Sequence, residues 1–191
     1  MTLLILGLAL FLGVHSVRVV ADPWRAGFIA RRGPGPWKGL YALLSAVGFV
    51  LIIVGYGAAR GGTPLLVAGA GVRGLTYLLV WLGFVCVTAA YWPRNHIKRA
   101  LGDPMVVGVG LWALGHLLVR TTPAGLALFG AFLLWAVVDY VSLRGRARAE
   151  GASVPAPSIL NTVLTVVVGT IGWAVFAMLL HRLLIGVSPM G

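Results

Sequence analysis

Residues 39–59 read GLYALLSAVGFVLIIVGYGAA, twenty-one positions without a charged side chain. A helix crosses the hydrocarbon core of a bilayer with about 20 apolar residues, within a range of roughly 17–25. The stretch meets that length, and Lys38 and Arg60 stand at its two ends. On either side of it the same alternation of apolar run and basic gap recurs along the chain. Apolar runs cover residues 2–20, 39–59, 74–92, 105–119, 123–143 and 159–185. The run at 105–119 is short for a span and is counted because its flanks obey the charge pattern of the others.

That pattern also sets an orientation. Arg18, Arg25, Arg31, Arg32 and Lys38 lie between the first and second runs, Arg94, Lys98 and Arg99 between the third and fourth, and Arg144, Arg146 and Arg148 between the fifth and sixth. The opposite side receives only Arg60, Arg73, Arg120 and Arg182. Cytoplasmic loops carry the excess of Lys and Arg, so six helices with both termini on the periplasmic side are expected. Five or seven would spoil the alternation. The expected fold is all-α: a polytopic helical bundle of a bacterial inner membrane, one domain over residues 1–191. The first run has no basic segment before it, and Val20-Ala21-Asp22 is a poor cleavage context, so it reads as a retained helix.

Composition agrees with this. Of the 191 residues 60% are hydrophobic and 10% charged, with a mean hydropathy of +0.99, where a soluble domain carries about 25% charged residues. A net charge of +11 invites a nucleic-acid reading. The basic residues sit in short gaps between apolar runs, however, and point to lipid headgroups as the partner, with no nucleic acid. Arg144–Pro157 is the most polar stretch, its Pro155 and Pro157 leading into the sixth helix. Residues 64–72 fit either an extension of the third helix or an interfacial segment. Ser45, Gly48, Gly55 and Ala59 form a small-residue stripe on the second helix, and Asn161, Thr165 and Gly169 share a face of the sixth. Both stripes suit close helix packing in lipid.

Several chemistries are excluded. One cysteine, Cys86, rules out an internal disulfide, a Cys-x-x-Cys pair, a thiolate zinc cage and covalent c-type haem attachment. Four acidic residues, Asp22, Asp103, Asp139 and Glu150, are too few for a carboxylate metal site. Gly69-Ala-Gly-Val-Arg-Gly74 spells a dinucleotide fingerprint, but no strand precedes it.

Ionisable groups inside spans are costly and tend to mark sites. Three qualify: His15, His116 and Asp139. Lone histidines on separate helices suit axial ligation of a b-type haem, because neutral imidazole is a good iron ligand. The alternative for each is a hydrogen bond to a neighbouring helix. His15 lies about five residues from the cytoplasmic end of its helix and His116 about eleven from the start of its own, an offset of roughly 9 Å; a tilted haem spans that. Gly108, Trp112, His116 and Arg120 follow at spacings of four on one stripe, where the glycine would admit a flat macrocycle and Trp112 would stack on it. Arg18 and Arg120 read either as propionate partners or as interface anchors. Asp139 reads as an ion-paired or capped carboxylate, or as a proton-handling group. His96 reads as a solvated loop residue and His181 as interfacial.

These residues carry a family resemblance. Leu10-Phe-Leu-Gly-Val-His-Ser-Val-Arg18, Trp37-Lys-Gly-Leu-Tyr41, Gly55-Tyr-Gly-Ala-Ala-Arg60, Pro93-Arg-Asn-His-Ile-Lys-Arg99, Asp103-Pro-Met105, Leu111-Trp-Ala-Leu-Gly-His-Leu-Leu118 and Leu184-Ile-Gly-Val187 together resemble the NnrU family across nearly the whole chain. That family is similar to 15-cis-ζ-carotene isomerase of plants and cyanobacteria, an integral membrane protein that uses haem b. The resemblance implies one haem b held by His15 and His116, with Arg18, Trp112 and Arg120 around it. It further implies redox-dependent cis–trans isomerisation of a hydrophobic polyene, with no motif identifying a redox partner or further catalytic residues. The family name carries an alternative, a non-enzymatic haem sensor or accessory factor in nitric oxide and denitrification metabolism. One departure stands out: the family usually has His-Pro-Met where this chain has Asp103-Pro-Met105. Any role of that histidine in ligand exchange or proton supply is absent here, whereas His15 and His116 are untouched by the change.

Overall fold

Why the chain folds as it does follows from where polar backbone can be tolerated. In lipid every peptide group must be satisfied within its own segment, which leaves helices as the spanning form for an open chain. A computed structural model describes residues 1–150 and 155–189, and no strand occurs among them. The helices are α1 (Thr2–Val20), α2 (Asp22–Arg32), α3 (Pro34–Ala59), α4 (Ala70–Tyr91), α5 (His96–Leu101), α6 (Pro104–Leu117), α7 (Pro123–Glu150) and α8 (Ile159–Val175). The last continues through a π turn, Phe176–Leu180, into α9 (His181–Ile185).

Five segments are long and apolar enough to cross a membrane: Thr2–Val20, Pro34–Ala59, Ala70–Tyr91, Pro123–Ala149 and Ile159–Ile185. The short run expected at 105–119 is α6, whose 14 residues rise about 21 Å, less than the roughly 30 Å of a bilayer core. It nonetheless runs from one end of the bundle to the other. Before it, Tyr140 donates to the Leu101 carbonyl at 3.0 Å. After it, Thr121 exchanges hydrogen bonds with the backbone of Leu66, at 2.8 and 3.0 Å. The connections that hold the eleven basic residues therefore gather at one end, called here the basic end. The turn after α3, the α6–α7 turn and α9 gather at the other, where Arg60 donates to the Ile185 carbonyl.

The helices pack in the order α3, α1, α7, α6, α4, α8, with α7 in the centre and α1 and α6 on its two sides. Two pairs flank α7, and each is joined by glycines that let backbones approach. A Cβ on Gly55 would sit 2.3 Å from the Leu4 nitrogen, and one on Gly48 2.8 Å from that of Phe11. In the second pair, a Cβ on Gly108 would lie 2.7 Å from the Gly83 carbonyl oxygen. The small-residue face of the last span does the same for α4 and α8: Thr165 is fully buried, and Gly169 faces Val85.

Two features depart from the sequence reading. Residues 22–32, read as a connecting loop, form helix α2 with Pro23 in its first turn. Its Trp24 and Phe28 lie one turn apart and cluster with Trp37 at centroid distances of 5.9–6.0 Å, while Arg25 covers the Trp37 ring at 5.9 Å. Aromatic and basic residues on a short amphipathic helix are the signature of an interfacial segment. His96 is exposed, as expected, but instead of lying in a loop it opens α5 and is tied to Thr162 through its backbone nitrogen and its Nδ1. The preceding Asn95, 1% exposed, accepts from the Lys98 nitrogen and donates to the carbonyls of Ala89 and Trp92. One amide thereby satisfies a helix N-terminus and the end of the preceding helix together.

Candidate functional site

His15 sits on α1 one turn after Phe11. Its Nδ1 lies 2.6 Å from the Phe11 carbonyl oxygen, and the two rings stack at 4.2 Å. Tyr41 of α3 and Trp135 of α7 complete the surroundings, at 5.1 and 6.1 Å between centroids. His116 on α6 repeats the arrangement one turn after Trp112: Nδ1 lies 2.8 Å from the Trp112 carbonyl oxygen, the Trp112 ring is 5.2 Å away, and Phe129 of α7 stacks on it at 4.7 Å. The hydrogen bonds run within each histidine's own helix and not to a neighbouring one, as the structural alternative had it.

A carbonyl oxygen can only accept, so each Nδ1 must carry the proton. This leaves Nε2 as the lone-pair nitrogen. A metal-bound histidine is oriented in this way, its second ring nitrogen donating to a backbone carbonyl. The donor chemistry of both residues therefore fits an iron ligand.

The two histidines do not face each other across a slot. Between them runs a ladder of rings, in which Phe132 of α7 lies 5.8 Å from Phe11 and 5.5 Å from Trp112. Their ring partners on α7, Trp135 and Phe129, are six residues apart, about 9 Å along the axis, in line with the offset expected from sequence. The two imidazoles are thus linked through three intervening rings, Phe11, Phe132 and Trp112.

The surroundings of the two also differ. His15 lines a cavity of about 330 Å³ at the basic end, with Arg18, Arg25, Lys38, Arg146, Asp139, Trp37 and Tyr41 on its walls. Arg18 is thus beside His15, as the sequence placed it. Asp139 makes no ion pair among the described residues; the one salt bridge there joins Arg25 to Asp22 at 3.0 Å. Around His116 stand Trp112 and Phe129, and Tyr56 of α3 lies 6.0 Å beyond Phe129. Arg120 is exposed at the far end of the bundle. Gly108, expected to admit a macrocycle, is instead covered by the α4 backbone at Gly83, because the glycine serves the closest helix contact of that pair. His181 is bound through Nδ1 to the Val187 carbonyl at 2.6 Å. No group of three or more His, Cys, Asp or Glu side chains suited to a metal ion occurs among the described residues.

Sequence reasoning missed the ring ladder. Its signal was present in part, as an aromatic four residues before each histidine, and only Trp112 was singled out. Phe129, Phe132 and Trp135 carry no motif and join the site only because α7 lies between α1 and α6.

A family model described as NnrU protein matches residues 3–189 of the chain. No curated protein and no solved structure matches it.

Proposed function

Because the chain belongs to the NnrU family, we propose that it is a haem-b-binding, multi-pass protein of the bacterial inner membrane with His15 and His116 as iron ligands. The observation that carries this reading is the matched tautomer of the two histidines, each holding its Nδ1 proton on the carbonyl one turn back and leaving Nε2 for a metal. Arg18 beside His15 supplies a cation for a propionate. Bound haem would supply a redox-active Lewis acid in lipid, suited to cis–trans isomerisation of a hydrophobic polyene. The chain's own part is to orient the two imidazoles, to keep water from His116 with Trp112 and Phe129, and to leave His15 open to the cavity.

The experiment is spectroscopic. Protein purified in detergent and supplied with haem should show a Soret band and the low-spin spectrum of bis-histidine ligation. His15→Ala and His116→Ala should each convert it to a five-coordinate spectrum or abolish it. If only one substitution alters the spectrum, a shared clamp is wrong. A preparation that stays colourless with added haem overturns the whole reading. Expression in cells accumulating tri-cis-ζ-carotene then separates the two activities: di-cis product supports the isomerase. Full haem loading without conversion supports a non-enzymatic sensor or accessory factor in nitric oxide metabolism.

A further inference from the structure

The cavity at His15 continues outward into a second space of different character. An apolar groove of about 270 Å³ runs between α1 and α3, lined by Ala9, Leu10, Gly13, Leu40 and Leu44, with Trp24 of α2 against it. Val14, Val17, Trp37 and Tyr41 line both spaces, so the groove and the cavity share a wall. From Ala9 to Val17 the groove follows α1 for about 12 Å, most of the roughly 15 Å depth of one leaflet. Its floor at Gly13 is open: a Cβ built there meets no atom within 4 Å, unlike those at Gly7, Gly48 and Gly55, which serve the α1–α3 contact.

The charges are as one-sided as the groove is apolar. Four cations, Arg18, Arg25, Lys38 and Arg146, line the cavity against one carboxylate, Asp139. Arg25 is engaged by Asp22 and Arg146 donates to Ser142, but Arg18 and Lys38 make no hydrogen bond or ion pair among the described residues. An anionic group with an apolar tail matches both spaces: the head meets a cavity wall with four cations to one carboxylate, among them Lys38, unpaired among the described residues, and Arg25, whose one ion pair is with Asp22, and the tail fills the groove.

We propose that this is a binding site for an anionic phospholipid, with its phosphate at Arg25 and Lys38 and one acyl chain along the Gly13 groove. Interfacial basic residues attract anionic headgroups in general. What distinguishes this site is the coupling of the cations to a built groove for a chain, bounded by Trp24 of α2 and Trp37 of α3. A zwitterionic lipid would bring its own ammonium group into the cation cluster and fits less well. The proposal does not depend on haem, and its readout is lipid retention.

Native mass spectrometry of the full chain in detergent tests it, with dimyristoyl phosphatidylglycerol, phosphatidylethanolamine of the same chains, and glycerol phosphate as probes. Phosphatidylglycerol should be retained as a one-to-one adduct at concentrations at least about tenfold below phosphatidylethanolamine, and glycerol phosphate should not be retained. Lys38→Gln and Arg25→Gln should each lower the preference for phosphatidylglycerol about fivefold, the worth of one basic residue near an anionic headgroup. Lys38 is exposed, so its replacement leaves folding intact. Gly13→Leu should weaken retention of both phospholipids by filling the groove. Equal retention of the two phospholipids, an unchanged preference in Lys38→Gln, or retention of glycerol phosphate as strong as that of the lipid would each overturn the proposal.

Discussion

Helices α1 and α3 meet as α4 and α6 do, antiparallel and through glycines, and each pair presents one histidine to α7. The surroundings then diverge. His15 opens on a cavity lined by four cations, whereas His116 has Trp112 and Phe129 against it. The α1–α3 contact carries no side-chain hydrogen bond between the helices among the described residues. The α4–α6 contact has one, Thr76 donating to the Gly115 carbonyl at 3.0 Å. The same imidazole tautomer is thus built twice and exposed to two environments. Local helix geometry holds the ring; what lies beyond Nε2 is decided by the neighbouring helices.

The largest expected effect breaks the packing that both pairs share. Gly55→Val places a Cβ on the Leu4 backbone, and Gly108→Val places one on Gly83. Overpacking costs about 1–3 kcal/mol where side chains can shift. Backbone has no rotamer to change, so both variants should lose more than about 3 kcal/mol, read as the midpoint of reversible unfolding in SDS and detergent mixtures. Gly13→Ala, with open space around it, should retain the wild-type midpoint. A tolerated Gly108→Val would show that the α4–α6 pair is looser than its geometry implies.

Next in size is the rung that both halves touch. Phe132→Ala removes contacts to Phe11 and to Trp112 at once, and should cost about 3 kcal/mol, the low end for a phenylalanine because this ring is half-buried. Tyrosine or tryptophan fluorescence should report loosening on both sides of α7; a change confined to one side would mean that the ladder is two separate contacts. Smaller again is Asn95→Ala, which strips the α5 cap and two donors from the α4–α5 corner. About 2 kcal/mol should go, and hydrogen exchange at the start of α5 should quicken. The smallest change is Thr76→Val. Interhelical hydrogen bonds in membranes are worth about 0.6 kcal/mol on average, so a loss of that order is expected. A loss several times larger would make this bond the main difference between the two pairs.

Much of this was legible because bilayer insertion is a test of composition and length. Residues 39–59 and their counterparts read as spans directly, and the charge alternation supported a sixth helix at 105–119 that length alone would have rejected. The glycine stripes also announced themselves, since in lipid small residues have one main structural use. Helix α2 was hidden for the opposite reason. Its eleven residues hold three arginines and one aspartate, so hydropathy reads them as loop, and their apolar face becomes visible only when Trp24 and Phe28 meet Trp37.

Local sequence was sufficient for the membrane, the spanning helices, their alternation and the two histidines one turn behind aromatic residues. Each of these follows from local hydropathy or from a spacing of four along one helix. Tertiary packing was needed to set α7 between α1 and α6, to commit Gly108 to α4, and to bring Phe132 against both Phe11 and Trp112. Those outcomes depend on which faces of separate helices meet. In a medium as apolar as the side chains themselves, packing shape and not hydrophobicity makes that choice.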